Sequence, residues 1–550
     1  MKLFVSNRNR ERLRVARLTC GVAAILLLAA SPALASKSWP QDEVTRNFDK
    51  TLTLGAGQSV RVEHKFGEVK VHGESGREVK ISAVIRAQAS SHEEAESFAQ
   101  KIQIEVQQTG AGISIRTVYP PEENKWFHIS KHSSWSVSYN IAIPSDAPLN
   151  IRNSFGSVNV ARVHGAVEVE NGYGSLTVQE AGQVRLNNSF GSIELTGAAG
   201  NAVVNNKNSS VQVSDVKGTL EVQDRFGSIT VRNIQGAATI TGGNGMVTLS
   251  DAASASVTTS FGNVDARNIR GDLAIHDNNG NIDISAIGGT LEVSDSFGNV
   301  AFTDVKGRVN CTTSNGRVKA SSLTGTSVTI RDSFGNLELE NINGSLDADT
   351  SNGKITVHDI RGAVTLQSSF GAIEATNIPK GIRTVTGNGA ITLTDIGADA
   401  YAKTSFGSIL AERINGNLTA EDSNGSVTAR NVKGDATVNT SFAGVTLESV
   451  GGRVRVDNQN GAIAVTAARP ASGCRDISLK TSFSSIRVRI PDGLSFNLTA
   501  RTSFGRVSSE LPVTATGNIG GDSLNGTIGA GGCLLQLTDS NGSIEIAKAP

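Results

Sequence analysis

Three residues after each of 22 regularly spaced markers, the chain places Val, Ile or Leu without exception, from Val158 and Leu176 through Ile229 and Ile355 to Ile544. Nine markers are Phe in Ser-Phe-Gly or a close variant, namely Phe155, Phe190, Phe226, Phe261, Phe297, Phe334, Phe370, Phe406 and Phe442, at intervals of 35 to 37 residues. Midway between them sits a second form, usually Asn-Gly (Asn208, Asn244, Asn279, Asn315, Asn352, Asn388, Asn424 and Asn460), with Tyr173 at the first midpoint. Looser copies follow at Phe483, Phe504, Asn525 and Asn541, so the unit is about 18 residues, marked alternately by Phe and Asn.

Within a unit such as Phe226 to Ile240, apolar side chains fall at 229, 231, 234, 238 and 240. Alternation over short runs, punctuated by Gly and Asx residues, indicates short strands with one buried face. One residue after the marker it is Gly in 19 of the 22 units, Ser209, Ala443 and Ser484 being the departures. Such a glycine supplies a left-handed backbone or room for close approach at a corner. Seven residues after the marker Asp or Asn recurs, as in Asp215, Asn233, Asp304 and Asn341; these side chains can hydrogen-bond the local backbone at a bend. One unit cannot close a core, because ordering 18 residues costs more than burying five aliphatics returns. Stacking removes the deficit by pairing each strand in parallel with its equivalents above and below. The expected fold is all-β, a parallel β-solenoid of about 22 coils, and crossover chirality favours a right-handed wind. At about 4.8 Å per coil such a rod is on the order of 100 Å long.

The 59 Gly come with only 11 Pro and no three-residue period, which excludes collagen. The formal charge is zero, but Lys2, Arg8, Arg10, Arg12, Arg14 and Arg17 crowd the first 35 residues against Glu11 alone. The remainder is acidic by about five charges and well mixed, the wrong footprint for nucleic acid or an anionic membrane. After the Arg-rich stretch come an apolar run, Gly21 to Ala30, and the small-residue site Ala33-Leu34-Ala35. That order reads as a secretory signal cut after Ala35. The run is too short to stay in a bilayer as a helix, and no later stretch is longer. The expected location is the periplasm, the outer surface or the extracellular space.

Of the cysteines beyond the signal, Cys311 takes a position otherwise filled by Val, Ile or Leu and is expected to be a small core hydrophobe. An oxidising compartment permits a Cys474–Cys533 disulfide. Coils stacked in chain order would separate the two by about three coils, beyond disulfide reach, and this weighs against the pair.

Residues 36–150 differ from the 151–550 repeat domain and are expected to form a β-rich cap. They hold longer alternating stretches, Val60 to Val71 and Val79 to Ala87, and Phe66-Gly67-Glu68-Val69-Lys70-Val71 imitates the repeat. Ser90-Ser91-His92-Glu93-Glu94-Ala95 is a capping-box start that predicts a helix to about Gln103. A cap would cover the first coil's open strand edges. Trp126, His128, His132 and Trp135 lie in a loop-like stretch with no third metal ligand in view.

The approach Trp135-Ser-Val-Ser-Tyr139-Asn-Ile-Ala-Ile-Pro144, the recurrent Ser-Phe-Gly-Ser-Val and Asn-Gly-x-Ile coils, and the closing Gly531-Gly-Cys-Leu-Leu-Gln-Leu-Thr-Asp-Ser-Asn541-Gly-Ser-Ile-Glu-Ile resemble a bacterial family of unknown function called "putative adhesin", with β-strand repeats. The resemblance covers nearly all of the chain beyond the signal, which is longer than many members. It implies a secreted β-solenoid and carries over no catalytic residues.

The Phe markers admit two roles. Each ring can cover a corner and span two layers, or nine rings about 9.6 Å apart can form an exposed ladder for a sugar or a protein. The first role is favoured, since exposed Phe invites aggregation and sugar platforms prefer Trp and Tyr, of which the chain has 3 and 4. The sequence thus points to a non-enzymatic, monomeric envelope or surface rod for adhesion or scaffolding, with an envelope glycan or a surface protein as partner. No cofactor, metal or catalytic set is assigned. The alternative is a carbohydrate-binding or carbohydrate-active β-helix, but His164, His276 and His358 are scattered singly and no unit grows a loop that would shape a cleft. A flat Thr array for ice is spoiled by mixed charge four residues after the marker (Thr230, Asp265, Lys319, Glu338). The calcium-binding nonapeptide of β-rolls is missing, and a self-assembling filament fits poorly with an export signal and a differentiated N-terminal segment.

Overall fold

The computed structural model describes residues 42–120, 134–469, 473–516 and 520–549. The proposed signal and the Trp126, His128 and His132 stretch lie outside the described residues. The fold is a parallel β-solenoid with about 18 turns in chain order and one short helix near the N-terminus.

The coil of Phe297 shows the pattern. Val300–Val305 and Val309–Thr312 form two short strands. The first pairs in parallel with Val318–Ser321 (Val300↔Val318) and the second with Val328–Arg331 (Val309↔Val328) of the next coil. Two ladders therefore face each other across one aliphatic column. Val300, Phe302, Val305, Val309 and Cys311 are all buried, as are Ile229, Val231, Ile234, Ala238 and Ile240 in the coil of Phe226. Cys311 is a free, buried core residue, as expected, and burial pushes its thiol up to about 12.

The recurrent Asx seven residues after the marker does more than bind a bend. Asp304, Asn341 and Asn377 have φ of 53°, 54° and 58°, and the same left-handed conformation recurs from Arg162 to Ser449. One left-handed residue shifts the strand's alternation by one, so that Val305, not Asp304, turns inward after Val300 and Phe302. Asn and Asp tolerate that conformation better than other side-chain-bearing residues. Their exposed side chains also join coils, Asn233 Nδ2 donating to Asp215 Oδ1 at 2.7 Å.

At the N-terminal end the elements are β1 (Asp42–Thr53), β2 (Ser59–Glu63), β3 (Val69–Glu74), β4 (Glu78–Ala89), α1 (His92–Lys101), β5 (Gln103–Thr109), β6 (Gly112–Val118) and β7 (Ser134–Pro144). The stretch expected as one strand from Val60 to Val71 is a coil, β2 and β3 broken at the corner of Phe66. It stacks on the coil of Phe155 (Val60↔Leu149, Val69↔Val158). On its other side it pairs in parallel with β6 and β7 (Val62↔Ile115, Val69↔Tyr139), and Trp135 belongs to β7 rather than to a loop. Antiparallel partners then cover these strands, β5 on β6, β4 on β7 and β1 on β4. The helix α1 packs on β1 and β4, and Ser91 caps it by accepting the Glu94 N–H at 3.3 Å.

The C-terminal end departs from chain order. Ile477–Lys480 pairs with Val454–Asp457 on one side and with Leu535–Thr538 on the other (Ile477↔Leu535). Cys533–Thr538 in turn pairs with Phe496–Arg501. The last coil in sequence is thus inserted between two earlier ones. Asn525, counted as a coil marker, instead lies in Ser523–Ile528, which runs antiparallel to Phe496–Arg501 as a closing strand. The insertion overturns the expectation for the cysteines. Cys474 and Cys533 sit on neighbouring coils with Cα atoms 5.7 Å apart and are disulfide-bonded. Separation along the chain gives separation along the rod only where coils stack in order, and here they do not.

Candidate functional site

The marker edge is built by the residues on either side of each marker. Two residues before the marker a polar side chain points inward and is buried in nearly every coil, for example Asn153, Asp224, Asp295, Thr350, Ser368, Thr404 and Asn458. In several coils it accepts the N–H of the glycine that follows the marker, as Gly227 to Asp224 at 2.7 Å, Gly371 to Ser368 at 2.9 Å and Gly407 to Thr404 at 3.2 Å, whereas Asn153 donates to the Gly156 carbonyl at 3.1 Å and the Asp295 carboxylate has no such partner. Thr404 also donates to the Gly389 carbonyl of the adjacent coil at 3.0 Å. This polar column ties corner to corner. Its signal in the sequence is the Asn, Asp, Ser or Thr that stands two residues before almost every marker.

The glycines stack directly on one another: a Cβ on Gly353 would lie 1.6 Å from the Gly335 carbonyl oxygen. Close approach, more than left-handed backbone, is what fixes glycine at such positions. A corner this tight has no room inside for the marker, and the side chain is thrown outward.

Phe155 and Phe190 are 42% and 46% exposed, and Phe226, Phe261, Phe297, Phe334, Phe370, Phe406 and Phe442 are 58% to 65% exposed. The expectation that the rings cover the corner is not met, because the Asn between them already satisfies it. Asn352 Nδ2 donates to the Ser333 carbonyl at 3.2 Å and Asn424 Nδ2 to that of Ser405 at 3.1 Å, pinning the amides against the preceding coil. Where aromatic residues occupy consecutive coils the rings stack along the rod. Phe66–Phe155, Phe155–Tyr173 and Tyr173–Phe190 have centroids 5.3, 4.9 and 4.7 Å apart and planes within 13°. Trp135 meets Phe66 edge-on at 6.5 Å and stacks on Phe98, so the ladder is continuous with the N-terminal segment. Around the rings the edge is sparsely charged, made mostly of Ser, Gly, Asn and Ala with Lys65, Lys207, Arg225, Arg317, Lys354 and Arg506 as cations.

Under this edge lie carboxylates short of solvent. Burial raises the carboxyls of Asp224, Asp277, Asp332 and Asp422, and it lifts Asp295 to about 6 against the opposing backbone N–H of Ser296, with Asp277 in the adjacent coil adding to the rise. His64 holds the same position in the first coil. Burial lowers it to about 4, and its Nδ1 lies 3.0 Å from the Thr117 hydroxyl. These groups are buried in the column under the edge, and His64, with Asn153 and Asn171, also lines a shallow depression beside the first coils. His164, His276 and His358 are exposed on separate coils. Among the described residues no group of three His, Cys, Asp or Glu is placed to hold a metal ion, and no helix is long and apolar enough to cross a membrane.

Residues 266–384 match the Toastrack DUF4097 family. That stretch covers the coils from Phe297 to Phe370, the middle of the ladder. Among solved structures, the chain is similar to a "putative cell adhesion protein" from Clostridium sporogenes, at 10% identity and a TM-score of 0.19 over 44% of this chain and 99% of that one. It is also similar to a "putative adhesin" from Bacteroides fragilis, at 12% identity and a TM-score of 0.16 over 60% of this chain and 97% of that one. No curated protein matches the chain.

Proposed function

We propose that this protein is a non-enzymatic, exported rod that works by contact, its aromatic edge serving in adhesion or scaffolding at the cell envelope or surface. On this reading residues 1–35 direct export and are removed, residues 36–150 close one end, and the repeat domain presents the edge. The observation that carries the reading is the row of Phe side chains, most of them about three-fifths exposed, on a rod whose aliphatic column is buried and whose other exposed large apolar residues are Tyr173, Met246 and Leu534 among the described residues. An exposed apolar strip of this length marks an interaction site in a folded protein.

The test is binding of residues 36–550 to isolated envelope fractions and to a glycan array, beside a variant carrying Phe297→Ala and Phe334→Ala. Binding that falls at least several-fold in the variant, with an unchanged circular dichroism spectrum, supports the reading. Binding indifferent to both substitutions discards the edge as the contact surface.

A further inference from the structure

We propose that the partner of the aromatic edge is a second copy of this chain, docked antiparallel so that the rings of each rod fill the empty rungs of the other. The inference rests on the edge being the contact surface, as read above, and adds what covers it.

The protein displays the filled ladder at its own N-terminal end. Phe66, Phe155, Tyr173 and Phe190 occupy consecutive rungs and stack face to face at 4.7 to 5.3 Å, within the separation that aromatic pairs prefer. From Asn208 onward every second rung lacks its ring and holds an Asn, whose amide in most of these rungs is pinned to the coil before it, as Asn208 is to Ser189, Asn352 to Ser333 and Asn424 to Ser405. The edge is therefore a comb with teeth about 9.6 Å apart. A ring set midway between two teeth sits about 4.8 Å from each, the geometry already seen in the filled stretch.

Ring orientation favours a comb over a sugar chain. In the filled stretch the ring faces look along the rod, so a polymer lying lengthwise on the edge meets ring rims, while another ring entering between two teeth meets faces. Period favours it as well. A ligand that engages all the teeth must repeat at the same spacing over the whole row, and a second copy does so by construction. Symmetry then fixes direction. A two-fold axis along the rods would set Phe opposite Phe, whereas an axis perpendicular to them, passing between a Phe rung and an Asn rung, sets every Phe opposite an Asn. Such a contact is isologous and closes at two copies. Area suffices: the eight rings from Phe226 to Phe483, each about three-fifths exposed, bury ~1,000 Å² per partner at ~200 Å² per side chain, against ~800 Å² for a standard interface.

Sedimentation of residues 36–550 over a hundredfold range of concentration reads the mass. The expected result is a two-fold mass that Phe297→Ser, Phe334→Ser, Phe370→Ser and Phe406→Ser together return to one copy, with the melting profile retained. Orientation is read by oxidising variants that each carry one added cysteine, the Cys474–Cys533 bond and the buried Cys311 being left in place. Asn352→Cys, near the middle of the comb, should cross-link the pair, and Asn244→Cys, near one end, should not. Cross-linking of both overturns the antiparallel arrangement, and growth beyond two copies overturns closure. A chain that stays single at every concentration yet binds envelope material through its Phe residues overturns this inference and leaves the proposed function standing. A pair indifferent to the Phe substitutions, with envelope binding equally indifferent, removes both.

Discussion

Asp295 is the place where the rod's polar column should cost it stability at neutral pH. Its side chain is 4% exposed, and the equally buried Asp277 lies one coil away. Burial raises the Asp295 carboxyl from 3.8 to about 6. Folding therefore favours the protonated form. Below about pH 3.5 both folded and unfolded chains hold the proton and the site costs nothing. As pH rises from about 4 to 6 the unfolded chain releases its proton first and gains. Above the folded value the cost levels off near 1.4 kcal/mol per unit, on the order of 2–3 kcal/mol. Asn removes the charge without changing shape, and the column shows how it would sit. Asn458 accepts the Gly461 N–H at 3.3 Å and donates to the carbonyls of Gly461 and Ala443 at 2.9 Å each. Asp295→Asn is thus expected to stabilise the middle coils by about 2 kcal/mol at pH 7.5, by about a third of that at pH 4.5, and not at all near pH 3. Urea unfolding at the three pH values, with hydrogen exchange to locate the gain at residues 291–312, measures it. A variant no more stable than the parent at pH 7.5, or one whose gain is the same at pH 4.5, would refute the assignment of Asp295 as a buried, uncompensated carboxylate.

Three further outcomes follow from the ends and corners. Reducing the Cys474–Cys533 bond, or replacing both residues with Ser, removes a 59-residue cross-link and should lower the stability of the C-terminal coils by up to about 4 kcal/mol, with hydrogen exchange rising over residues 477–548 and unchanged at the other end. His64 is buried and lowered to about 4, so its folded form is neutral; acidification from pH 6.5 to 4 should cost the N-terminal coil about 3 kcal/mol, and a pH-independent melt of that end in this window would contradict its burial. Gly353→Ala places a Cβ against the Gly335 carbonyl and is expected to lower the melting temperature by several degrees, whereas Ala443, already tolerated after Phe442, should revert to Gly with little change.

The repeat could be read from the chain because its restraint is local and repeated. Burial on one face imposes two-residue alternation, and every coil that presents Val, Ile or Leu three residues after its marker repeats the test. The helix after Ser91 was equally legible, since a cap and its first turn lie within a few residues. What the sequence left open involves groups brought together across coils. Whether Phe lies over its corner or stands away from it depended on the neighbouring Asn amide bonding the coil before it, as at Asn352. The left-handed residue at Asp304 changes which side of the strand faces inward, an effect that alternation alone does not show.

The amino-acid sequence by itself therefore determined the parallel coil, its aliphatic column and the position of the aromatic edge, because each is set by contacts between one repeat and its identical neighbours. Only the tertiary structure decided the order of coils at the ends and, through it, the pairing of Cys474 with Cys533. Coils of one repeat offer nearly equivalent strand edges, so a terminal coil can dock in more than one place. The choice is made by the antiparallel strands, such as Ser523–Ile528 on Phe496–Arg501, that must also be accommodated there.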